Sequence, residues 1–134
     1  MLHSVMNTDL PDIDTLERMA ARAFDAIPQA LREQVANVSF RVVDLPDPQT
    51  CEDLDLASPY DLLGLYQGIP IDQRSVLDVS QHVDMIFLYR LPLLNYAEAE
   101  GADVFDVVRN VLVHEIGHHF GFSDDEMDAI ETEG

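Results

Sequence analysis

Between Pro11 and Pro28 the apolar positions Ile13, Leu16, Met19, Ala20, Ala23, Phe24 and Ile27 return at helical spacing, with acids and Arg on the remaining face. The pattern predicts an amphipathic helix, and Asp12 or Asp14 is placed to cap it. Pro28 interrupts the pattern, after which "QALREQVANV" adds a short helical piece. The period then changes. "VSFRVV" is rich in branched and aromatic residues and reads as a strand, ended by the turn "DLPDP". "TCEDLDLASPYD" is acidic and contains Pro, which predicts a loop with a short helix. "LLGLYQGIPI" reads as a second strand broken at Gly68 and Pro70, and "HVDMIFLYR" as a third, the strongest of the three. "LPLLNYAEAEG" predicts a short helix stopped by Gly101.

The final periodic stretch is "ADVFDVVRNVLVHEIGHHFG". Asp103 is its expected N-cap and Gly121 its expected stop. Val104, Phe105, Val107, Val108, Val111, Leu112, Val113 and Ile116 surround most of this helix, so it should be buried on nearly every side. Histidines and a glutamate on such a helix demand a reason, because unpaired buried polar groups are costly.

Composition narrows the class of protein. At 134 residues the expectation is one domain spanning 1–134. There are 26 acids and 7 basic residues, a net charge of −19, and every base is Arg. Such a surface repels phosphate and makes nucleic acid and anionic membranes poor partners, while cationic peptides and metal ions suit it. Cys51 is alone, which excludes a disulfide framework and reads as a small, partly buried hydrophobe. With neither a basic leader nor a long apolar run, the expected location is the cytoplasm.

Chemistry concentrates in "VLVHEIGHHFGFSDDE". Successive helix residues are about 100° apart, so His114 and His118 lie about 40° from one another and Glu115 about 60° from His118. Two imidazoles at this spacing can reach one zinc ion at about 2.0–2.1 Å, with the carboxylate beside the metal and free to act as a base towards water. His119 points about 140° from His114 and cannot join that site from the same helix. The His-Glu-x-x-His motif alone is expected by chance in about one shuffled sequence in a hundred. Requiring Gly three residues later and an acid or His at the sixth lowers this to roughly one in ten thousand. The bland reading is a pair of core histidines bonded to carbonyls with Glu115 in an ion pair.

A third ligand must come from beyond His118. Gly121 can turn the chain back and bring Asp124 to the metal, giving H-E-x-x-H-x-x-G-x-x-D. "SDDE" is also a capping box for a terminal helix, which is compatible with Asp124 at its exposed start. Glu131 and Asp125 are the alternatives.

H-E-I-G-H-H-F-G-F-S-D-D, taken with "LLGLYQGIPI" and "MIFLYRLPLL", resembles the small bacterial zincin-like metallopeptidases over about Val38–Ile130. The resemblance implies an α+β fold of minimal zincin type: a short mixed sheet, a backing helix and an active-site helix beneath a cleft. It also implies an edge strand able to pair with an extended peptide. "HVDMIFLYR" is the candidate edge, with a place inside the sheet as the alternative. The motif is similar to that of metzincins as well, but Met127 follows too closely for their downstream Met-turn.

The functional expectation is a Zn2+-dependent peptidase in which His114, His118 and Asp124 bind metal and Glu115 serves as general base, acting on peptide or protein substrates. The alternative is a non-catalytic metal-binding or interaction domain that keeps the fold. Tyr66 and Tyr89 could donate to a tetrahedral intermediate, though strand packing is the plainer role. His3 and His82 read as surface or strand-end residues, and Arg109 as the partner of a nearby acid.

Overall fold

The computed structural model describes residues 10–35, 38–68 and 84–120. Helix α1, Ile13–Asp25, opens where the carboxylate of Asp12 accepts the Thr15 backbone N–H at 2.8 Å. The side-chain and backbone hydrogen bonds with Thr15 favour the charged form and hold the Asp12 carboxyl below its ordinary value. A short α2, Gln29–Gln34, follows Pro28. Strand β1 is Val38–Val43. Helix α3, Pro48–Asp53, is capped by Asp47, which accepts the Thr50 N–H at 2.7 Å. A 3-10 turn at Pro59–Asp61 carries a Ser58–Asp61 capping box and leads into β2, Gly64–Gln67.

Strand β3, Asp84–Tyr89, runs directly into α4, Arg90–Glu100. Gly101 ends α4 in the left-handed conformation, φ 64° and ψ 32°, which a residue without a side chain adopts at least cost. Two residues later Asp103 accepts the Asp106 N–H at 3.3 Å and starts α5, Val104–His119. Phe120 caps α5. Gly121, the stop expected from sequence, lies outside the described residues.

The sheet has the order β1-β3-β2, with β1 and β3 parallel and β2 and β3 antiparallel. This is a mixed sheet in an α+β fold, as expected. The candidate edge strand is corrected, because β3 lies in the middle. Asp84, Ile86, Leu88 and Tyr89 are all buried, the pattern of a strand covered by neighbours rather than one facing water. Among the described strands, the edge nearest α5 belongs to β2.

Helix α1 packs on α5 and β1, and α5 crosses β2 and β3. Leu16, Ile86, Leu88, Leu93, Val108 and Leu112 are fully buried where these layers meet. Each such side chain contributes about 1.5–3 kcal/mol by leaving water. The Arg22 guanidinium lies 4.7 Å from the centroid of the Phe105 ring, a cation–π contact between α1 and α5. Arg90 donates to the Pro11 carbonyl at 2.7 Å and to Asp44 at 3.1 Å, tying the approach to α1 and the end of β1 to the β3–α4 junction. Arg109 pairs with Asp106 at 3.4 Å, and Cys51 is half-buried, as expected.

Helix α5 departs from the expectation of burial all round. Val107, Val108, Leu112 and Ile116 are buried, whereas Val111, His114 and His118 are only half-buried. That second face looks onto a cleft. No described helix is long and apolar enough to cross a membrane.

Candidate active site

The cleft measures about 800 Å³ and is walled by α5, β2 and the loop before it. His114, Glu115 and His118 all line it, together with apolar residues that include Leu54, Leu65 and Tyr96. Helix periodicity puts the three polar side chains on one wall because α5 is held on its opposite side by Val108 and Leu112.

The His114 and His118 rings have centroids 4.9 Å apart, tilted by 49°. An imidazole bound to zinc at about 2.0–2.1 Å has its centroid roughly 3.2 Å from the metal, so two such rings at a tetrahedral angle stand about 5 Å apart. The observed spacing therefore fits a shared zinc ion without rearranging the helix. Glu115 is 7% exposed, and its Oε1 lies 3.8 Å from His118 Nδ1. At that distance the contact is electrostatic and not a hydrogen bond. Among the described residues no group of three His, Cys, Asp or Glu side chains converges as a complete metal cage. Asp124, Asp125 and Glu131 lie outside the described residues, as do His3 and His82.

Strand β2 comes unusually close to the motif. A β-carbon on Gly64 would stand 2.6 Å from Val111 Cγ1 and 3.4 Å from Glu115 Cγ. Only a residue with no side chain allows this approach, so Gly64 lets the strand edge lie directly beside Glu115.

The two tyrosines part company. Tyr89 is 3% exposed, and its phenol is pushed up to about 12 by burial first and then by Asp47, Cys51 and Glu115. Tyr66 is half-buried, and its hydroxyl lies 3.3 Å from His119 Nδ1.

His119 turns away from the cleft, as the helix geometry required, but it is not idle. Its Nδ1 is 3.0 Å from Asp84 Oδ2, with the side chains only 2% and 1% exposed. Sequence reasoning missed Asp84, Tyr66 and Gly68 as companions of His119. The available signal was an acid at the head of an apolar strand and an extra histidine on a buried helix, two polar intruders that each needed a partner.

The model of the zincin-like metallopeptidase family matches residues 35–134 of this chain. The chain belongs to that family, which carries the expectation of zinc and of peptide substrates. No curated protein matches the chain at a significant level.

Proposed function

We propose that this protein is a zinc-dependent peptidase, with residues 1–134 acting as one domain. The observation that carries the reading is the spacing of the His114 and His118 rings, 4.9 Å, on the same cleft wall as the largely buried Glu115. His114 and His118 would hold Zn2+, with Asp124 as the third ligand. When bound, zinc supplies the Lewis acidity that lets water give up a proton near neutral pH. Glu115 would accept a proton from the water on its carboxylate as the water oxygen bonds to the peptide carbonyl carbon, and would return it to the amine released when the C–N bond breaks. Gly64 and Leu65 present the edge of β2 to the cleft, where an extended peptide would add as a further strand.

Charge favours cationic substrates. Among the described residues Asp61, Glu100, Asp106 and Glu115 line the cleft and no Arg does, on a chain of net charge −19. The expected location remains the cytoplasm.

The test compares wild type with Glu115→Gln, both loaded with zinc, against a mixed peptide library enriched in basic sequences. Glu115→Gln keeps the shape but cannot carry a proton, so cleavage should fall about 10²–10⁴-fold at equal zinc content. Zinc held by both proteins with cleavage by neither would assign the fold to metal binding without catalysis.

A further inference from the structure

His119 Nδ1 meets two strands at once: Asp84, the first residue of β3, at 3.0 Å and Tyr66, in β2, at 3.3 Å. The Tyr66 and His119 rings also meet edge to face with centroids 5.8 Å apart. Gly68 closes the far side. Its φ is 155°, and a β-carbon there would collide with the Asp84 carboxylate and stand 2.9 Å from the Tyr66 hydroxyl. Four residues from three parts of the chain are thus fitted around one buried polar contact.

Burying such groups is a poor route to stability, since apolar residues of similar volume do as well or better. Direction is what they add. Leu112 and Ile116 hold α5 against the sheet, but apolar contacts are non-directional and permit small rotations about the helix axis. A ring whose Nδ1 faces both a carboxylate on β3 and a phenol on β2 does not. His119 follows His118 directly, about 100° further round the helix. The rotation that seats His119 on Asp84 therefore sets the direction of His118, and of His114 one turn earlier.

We propose that Asp84, His119 and Tyr66 are positioning residues for the metal-binding turn. They lock the rotation of α5 so that His114 and His118 face the cleft as a pre-formed pair. This inference rests on the zinc reading above.

The experiment measures zinc affinity by competition with a chromophoric chelator, the visible spectrum of the cobalt-loaded protein, and the thermal midpoint of the metal-free chain. Asp84→Ala should bind zinc about 10–100-fold more weakly, the range seen when groups that orient metal ligands are removed. Asp84→Asn keeps an acceptor and should recover most of the loss. Tyr66→Phe removes a single hydroxyl and should weaken binding by about threefold or more with little change in thermal midpoint. The cobalt spectrum should shift in Asp84→Ala, which a merely structural role would not produce.

A wild-type protein that takes up no zinc would overturn the zinc reading and this role with it. Wild type that binds zinc, with Asp84→Ala and Tyr66→Phe both within about twofold of it, would overturn the positioning role alone. If Asp84→Ala does not fold, Tyr66→Phe decides: weakened zinc at an unchanged midpoint supports the role, and unchanged zinc removes it.

Discussion

Gly64 in β2 and Val111 in α5 are packed so closely that a β-carbon on residue 64 would stand 2.6 Å from Val111 Cγ1. The strand edge and the His-Glu-x-x-His turn therefore meet backbone against side chain, with no room for a β-carbon at residue 64.

Gly64→Ala should destabilise the fold by about 1–3 kcal/mol, the usual cost of overpacking, read as a lower thermal midpoint. Cleavage should fall by about tenfold or more, because the displaced Val111 and Glu115 lose their places beside the strand. Val111→Ala added to Gly64→Ala relieves the first collision and should recover much of both losses. A double variant no better than Gly64→Ala would refute the packing explanation.

The third ligand is decided by zinc affinity. Asp124→Ala should weaken binding strongly, and Glu131→Ala should leave it near wild type. The opposite pattern would assign the role to Glu131. His119→Ala should keep one zinc per chain while lowering affinity, since its ring faces Asp84 and not the cleft.

Tyr89 sets an alkaline limit. Its folded-state value of about 12 lies above the ordinary 10.0, so the neutral phenol stabilises the fold fully below pH 10.0. That contribution is lost as pH rises from 10.0 through about 12. Denaturant unfolding of wild type should show stability falling across this window, and Tyr89→Phe should flatten the fall. Equal slopes in both proteins would remove Tyr89 as the cause.

Leu112 has no exposed surface and belongs to the core cluster that also holds Leu16 of α1 and Ile86 and Leu88 of β3. Leu112→Ala should cost about 2–5 kcal/mol through lost burial and the cavity left behind, measured by urea unfolding. A loss under about 1 kcal/mol would mean that the layers close over the gap.

The helices were legible because their signals are local. Asp12, Asp103 and Gly101 mark ends within a turn of the residues they cap, and the motif spacing placed His114, Glu115 and His118 on one wall before any fold was known. Strand order was not legible. Nothing in "HVDMIFLYR" states that β1 and β2 will flank it, because both partners are distant in sequence. The contact between Asp84 and His119 was hidden for the same reason. Each residue looked odd in its own segment, and only the tertiary fold brings the two together.

The parallel pairing of β1 with β3 has a kinetic consequence. Residues 38–43 cannot join residues 84–89 until the long segment between them has been looped, an entropic cost met before the contact repays it. Docking α1, residues 13–25, on α5, residues 104–119, spans still more chain. His114 and His118 become neighbours as soon as their helix winds, on a submicrosecond scale. The cleft that frames them exists only after β2 and the loop before it have closed onto the distant α5. Synthesis delivers about 5–20 residues per second, so the first helix waits seconds for the helix it must pack against.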